Sequence, residues 1–244
     1  MQVALLRVGI DSSPKTGGIH GPLFKDDTFE FIPIMDDKGV DERTYANTDG
    51  QRNPNRRLIE YFPQNLQDRM RGQRMHVDPE FKTFTYGDPT RPKRRLRDLK
   101  QGDMLVFYCS LKRWPHGAEH ALYLIGYFEV EVAGFAADLE KNGYNVEEIF
   151  ARNFHVMHKE VYKKEKSELV MVKGYPTGAN GPPSRLLERA VRISAEGKCC
   201  RGSLSAEMQN IFGNFDGKIC FWRGVHWVDK EHVERAAKFM RSLD

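Results

Sequence analysis

Asp11 and His20 are the first residues of the chain whose types and spacing can move a proton. Both fall in a loop of small and turn-forming residues, Asp11-Ser-Ser-Pro-Lys-Thr-Gly-Gly-Ile-His-Gly-Pro22, which leaves the end of an N-terminal strand. A carboxylate and an imidazole placed there would act as general acid and base, should the protein be an enzyme. The loop is not a P-loop, because no Gly-Lys-Ser/Thr follows at the required spacing. Ser12, Gly17 and Gly18 still let backbone N–H groups approach a ligand closely.

Other reactive types are weaker pointers. Cys109 follows Tyr108 at a strand end, where a thiol usually serves as small core filler. Asp103 lies in a Gly-Asp turn and reads as a turn cap. His116 and His120 are four apart, but Pro115 and Gly117 oppose the helix that a metal pair would need. His155 and His158 read as strand residues, where a spacing of three puts the rings on opposite faces. No metal and no cofactor are expected.

The elements that must position these residues follow from periodicity. Gln2 to Ile10, Thr28 to Ile34, Met104 to Tyr108, Ala121 to Val132, Leu169 to Lys173 and Lys218 to Arg223 read as strands. Gly126 marks a bulge or a close backbone approach. Asn145 and Glu148 form a reciprocal helix start, and Ser184 caps a helix carrying Leu186, Leu187, Ala190 and Val191. Ser203 caps a helix with Leu204, Met208, Ile211 and Phe212 on one face, stopped by Gly213. A last helix from Asp229 carries the stripe Val233, Ala236, Ala237 and Met240. Residues 11–27 and 36–57 read as long loops. Strands with helices gathered towards the end indicate an α+β fold.

Composition narrows the class. The chain has 244 residues, 40% hydrophobic and 30% charged, which excludes a disordered chain. Its longest apolar run is the six residues Met104 to Cys109, against about 20 for a membrane span. The segment Met1 to Ile10 has no basic leader and carries Arg7 in its apolar stretch, so no signal peptide is expected. Four cysteines without a CxxC indicate neither a disulfide framework nor a four-thiolate site, and the expected compartment is the cytoplasm. The net charge of +4 conceals fifteen Lys/Arg against seven Asp/Glu over residues 50–115. Such a concentration attracts a polyphosphate backbone or is a solvated surface paired with acidic regions of the same chain.

The stretch Leu99-Lys-Gln-Gly-Asp-Met-Leu-Val-Phe-Tyr-Cys-Ser110, followed by Leu122-Tyr-Leu-Ile-Gly-Tyr-Phe-Glu-Val130, resembles the PUA-like superfamily in its EVE, ASCH and YTH branches. The resemblance implies a mixed β-barrel decorated by helices, with a pocket that grips a base in DNA or RNA, often a modified one. It places Tyr108, Cys109 and Ser110 in that pocket. A YTH-type methyl-adenine cage is not carried over, because the tryptophans it needs are absent. Val8-Gly-Ile-Asp-Ser12, Gly17-Gly-Ile-His-Gly-Pro-Leu-Phe24, Asn153-Phe-His155 and Ser184-Arg-Leu-Leu187 are similar to the third family of nucleotide-modification-associated domains. That likeness covers most of the chain.

The residues themselves suit a base site. Tyr108, Trp114, Trp222 and Trp227 are candidates for stacking, and Ser110, Asp11, His20 and His155 for edge contacts. Trp222 and Trp227 read first as packing for the final helix, whereas Trp114 sits in a loop with nothing evident to bury it. The expectation is one PUA-like domain over 1–244, with an Arg-rich insertion at about 40–100 and C-terminal helices. Ser12, Gly17, Gly18, Tyr108, Cys109, Ser110, Trp114, His155 and Ser184 would hold the base. Arg91, Arg94, Arg95 and Arg97 would follow the phosphates of DNA or RNA. The alternative is a hydrolase or glycosylase-like enzyme on a modified nucleotide or nucleic acid, using Asp11 and His20.

Overall fold

The computed structural model describes residues 1–12, 19–117, 119–179, 181–196, 203–217, 219 and 224–243. Ten strands run among them: β1 (Val3–Arg7), β2 (Gly21–Leu23), β3 (Ile34–Met35), β4 (Met75–His76), β5 (Thr85–Asp88), β6 (Met104–Arg113), β7 (His120–Phe135), β8 (Val170–Gly174), β9 (Arg185–Arg192) and β10 (Val225–Trp227). The helices are α1 (Gln64–Met70), α2 (Ala136–Lys141), α3 (Val146–Ile149), α4 (Phe154–Met157), α5 (Lys159–Glu165), α6 (Ala206–Phe212) and α7 (Lys230–Arg241).

Eight strands form one sheet in the order β10-β1-β6-β7-β8-β5, with β2 also on β6 and β9 also on β7. The fold is α+β, but among the described residues the terminal strands β10 and β5 do not pair and no barrel closes. The apolar run at Met104 becomes the centre of the sheet. From Met104 to Leu111 every side chain of β6 is buried, as expected for a strand covered on both faces. β1 runs parallel to it, with Arg7 opposite Tyr108.

β7 is long enough to serve two neighbours, β9 along its first part and β8 along its second. The register with β6 shifts between Phe107 and Tyr108, opposite Gly126 and Leu124. A Cβ on Gly126 would lie 2.6 Å from the Arg185 carbonyl and 2.9 Å from the Phe81 ring. Only glycine allows that approach.

Several local readings hold. α7 starts after Asp229 and buries Val233, Ala236, Ala237 and Met240 in the same apolar cluster as β1 and β6. Burying a Val or Met side chain contributes about 1.5–3 kcal/mol, and an Ala methyl about 0.8 kcal/mol. Asn145 caps α3 by accepting from the Glu148 N–H, and Asp103 takes the N–H groups of Gln2 and Lys100.

Others are corrected. Residues 185–192 are a strand, not a helix, because the open edge of β7 supplies ladder partners that override helix propensity. Thr28 to Ile34 makes only isolated bridges before β3, and Pro33 has no N–H to donate. Ser205, not Ser203, caps α6. His155 lies on the short helix α4, not on a strand. The strand expected at 218–223 falls almost wholly outside the described residues. Residues 36–57 form no regular element, yet Tyr45 is fully buried there and donates to the Pro33 carbonyl at 2.9 Å. No helix among the described residues is long and apolar enough to cross a membrane.

Candidate functional site

A cleft of about 390 Å³ opens beside the C-terminal end of β1. Arg7 and Ser12 line one side, with Asp37, Asp78, Asp88 and Lys93 around the rest. Gly9, at φ +85°, turns the chain out of β1 into the short 3-10 turn Ile10–Ser12. This turn directs Asp11 inwards, where Arg7 donates to Oδ2 from Nε at 3.0 Å and from Nη2 at 2.7 Å. Burial pushes the Asp11 carboxyl up to about 6, although Arg7 and the Ser110 N–H oppose the rise. The Ser12 hydroxyl donates to the Gly9 carbonyl at 2.7 Å and so closes the turn. Asp88 accepts from the Tyr86 hydroxyl at 3.1 Å and the Thr90 N–H at 2.6 Å.

The pocket expected at Tyr108, Cys109 and Ser110 is filled core. Tyr108 is fully buried and its hydroxyl donates to the Ile219 carbonyl at 2.8 Å, so neither ring face is open to a base. Cys109 is buried, and burial, reinforced by the nearby Asp11, pushes its thiol well above the usual range. Ser110 is also fully buried. Ser184 is core too, its hydroxyl accepting from the Glu129 N–H at 3.1 Å. Gly17 and Gly18 lie outside the described residues, as do Trp222, Cys199, Cys200 and Cys220.

His20 and Trp114 meet in a different cavity of about 460 Å³. His20 stacks on His120 with ring centroids 3.9 Å apart, and burial, aided by His120, lowers its imidazole to about 3. Trp114 packs edge-on against Phe24 and Tyr61, with the Arg56 guanidinium 4.8 Å above its ring. His20 therefore lines a cavity apart from the cleft, while Asp11 is sealed beneath Arg7 beside the cleft and does not meet it.

The Arg-rich stretch forms a 3-10 helix over Arg91–Asp98, anchored by buried Leu96. Arg91 is exposed. Arg94 pairs with Glu168, while Arg95 and Arg97 lie 4.9 and 4.8 Å over the rings of Trp227 and Phe135. These guanidiniums stay on the surface but are held by aromatic and acidic neighbours.

One cluster escapes the sequence reading. His76 ends β4, Asp78 follows two residues later, and α4 brings His155 against both. His155 Nδ1 sits 2.7 Å from Glu165 Oε2, which leaves Nε2 directed at Asp78 Oδ2, 3.8 Å away. His76 Nε2 is 3.9 Å from the same oxygen. Asp78 Oδ2 accepts from the Gly87 N–H at 2.8 Å and from Asn153 Nδ2 at 3.3 Å. Burial holds the Asp78 carboxyl well above, and the His76 imidazole well below, their usual ranges. The sequence singles out His155 as a base contact, and His-x-Asp at 76–78 is a local sign, but the two lie about eighty residues apart.

No match to the chain was found among curated proteins or among solved structures. The nucleotide modification associated domain 3 family matches residues 2–235, from β1 through the cleft and the histidine cluster into α7, and the chain belongs to that family.

Proposed function

We propose that the protein recognises a modified or flipped base of DNA or RNA in the cleft beside β1. The observation that carries this reading is the convergence of hydroxyl, carboxylate and cationic groups from Ser12, Asp37, Asp88, Lys93 and Arg7 on one space of about 390 Å³. That volume lies within the range of small-molecule sites, and such groups suit the donor and acceptor edge of a base. Membership of the family supports the link to nucleotide modification. The base-holding role implied by the PUA-like resemblance is kept, with the cleft in place of the filled Tyr108–Ser110 position. The surface of Arg91, Arg94, Arg95 and Arg97 would meet the phosphates, and the cytoplasm is the proposed compartment.

The test is calorimetric binding of modified and unmodified nucleosides and oligonucleotides at two salt concentrations. Ser12→Ala and Asp88→Asn should weaken the ligand that binds. Absence of binding across the panel, or binding that both variants leave intact, would refute the reading.

Asp11 favours a second reading. A carboxyl raised to about 6 beside a cleft is poised for acid–base work near neutrality, as in an enzyme acting on a modified nucleotide or nucleic acid. Mass spectrometry should then show a product with the wild type and none with Asp11→Asn. An unchanged substrate panel with the wild type removes this reading.

A further inference from the structure

We propose that His76, Asp78 and His155 bind one divalent transition-metal ion. Three ligand-capable atoms, one from each residue, lie within 4.8 Å of one another. His76 Nε2, Asp78 Oδ1 and His155 Nε2 are each buried with no hydrogen-bond partner among the described residues. Both unpartnered imidazole nitrogens face the Asp78 carboxylate, at Oδ2, while its Oδ1 is itself without a partner. Buried polar atoms left unmet are costly, and two imidazole lone pairs beside a carboxylate call for a cation.

The surroundings match what ligands of a metal need. Glu165 engages His155 Nδ1, which fixes the ring and directs Nε2 inwards, as an outer carboxylate does for a metal-bound histidine. Asn153 serves twice: its side-chain oxygen accepts from the His155 N–H at 3.1 Å, and its amide donates to Asp78. Phe154 stacks on His76 with centroids 3.9 Å apart and limits its rotation. Separations of 3.8 and 3.9 Å to Asp78 exceed the roughly 3.4 Å between ligand atoms around a tetrahedral ion with bonds near 2.1 Å. The widest separation, up to 4.8 Å, must shorten by more than about 1 Å on metal uptake, through rotation of the side chains.

Two histidines and one carboxylate leave at least one coordination position open, the pattern of catalytic zinc and of non-haem iron(II) sites. Asp78 also borders the cleft, so the ion would sit at the cleft wall. The inference stands apart from the nucleotide reading, because metal binding is measured with no nucleotide present.

The test uses the full chain, stripped with a chelator and titrated with Co²⁺ as a visible probe, then with Zn²⁺ in competition. Expected are one Co²⁺ per chain, a visible absorption band that Zn²⁺ abolishes, and a rise in Tm on adding metal. Asp78→Asn and His76→Gln should lower affinity about 100-fold or more, and Glu165→Gln, a positioning change, about 10- to 100-fold. Wild-type protein that takes up no stoichiometric Co²⁺ overturns the proposal, whatever the variants do. So does uptake that folded Asp78→Asn and Glu165→Gln proteins retain at wild-type affinity.

Discussion

Arg7 grips a single oxygen of Asp11 with two of its nitrogens, and the pair is almost sealed from solvent. The ion pair does not offset the cost of burying the carboxylate, which is why the Asp11 carboxyl rises from 3.8 to about 6. Between those values the folded protein keeps a proton that the unfolded chain has released. The contribution of protonated Asp11 is therefore complete below pH 4 and is lost as pH rises through 6, by about 3 kcal/mol in all. Asp11→Asn should remove this slope. Urea unfolding of both proteins at pH 4, 5, 6 and 7 would show it, and parallel stability curves would contradict it.

His20 titrates with the opposite sense. Its imidazole is held near 3, so the unfolded chain binds a proton that the folded one refuses between about 3 and 6.5. Stability from neutral His20 is present above pH 6.5 and fades as the pH falls. His20→Gln should unfold at lower pH than the wild type in an acid titration followed by circular dichroism. An unmoved acid midpoint would show that the stacked pair with His120 carries no such penalty.

Glu129 is buried at the middle of β7, and Arg241 on α7 meets both of its carboxylate oxygens, at 2.5 and 2.9 Å. Arg241→Ala strands that carboxylate and should cost about 3 kcal/mol, at the lower end of the usual range because the guanidinium is partly exposed. Adding Glu129→Gln should recover most of the loss in denaturant unfolding. A double variant no more stable than the single one would locate the damage in packing instead.

The guanidiniums of Arg94 and Arg95 sit on one short 3-10 helix and do not line the cleft. If the chain binds nucleic acid, Arg94→Ala with Arg95→Ala should weaken all sequences alike. The slope of log affinity against log salt should become shallower by up to about 2. A loss confined to one modified base would instead assign these residues to base reading.

Much of the framework was legible in the chain. The apolar run at 104–109 became the central strand, the stripe at Val233–Met240 became α7, and Asn145 with Glu148 became a helix cap. These signals are local, since a strand covered on both faces or a helix on one leaves its periodicity in neighbouring residues. The conversion of 185–192 to a strand depended on an edge that β7 offers from some sixty residues away. The partner of the Tyr108 hydroxyl depended likewise on the Ile219 carbonyl, far along the chain.

The family was readable from motifs spread along the chain, and so were single residues such as Asp11, Ser12 and His155, whereas their grouping with distant partners was not. The parts come from β1 and the turn after it, β4 and the residues after it, β5, the 3-10 helix that follows, α4 and α5, joined through Arg7–Asp11 and Glu165–His155–Asp78. Sequence spacing reports which side chains share a face of one element. Only the packing of distant elements decides which of them share a desolvated space, and that desolvation sets their charges and their chemistry.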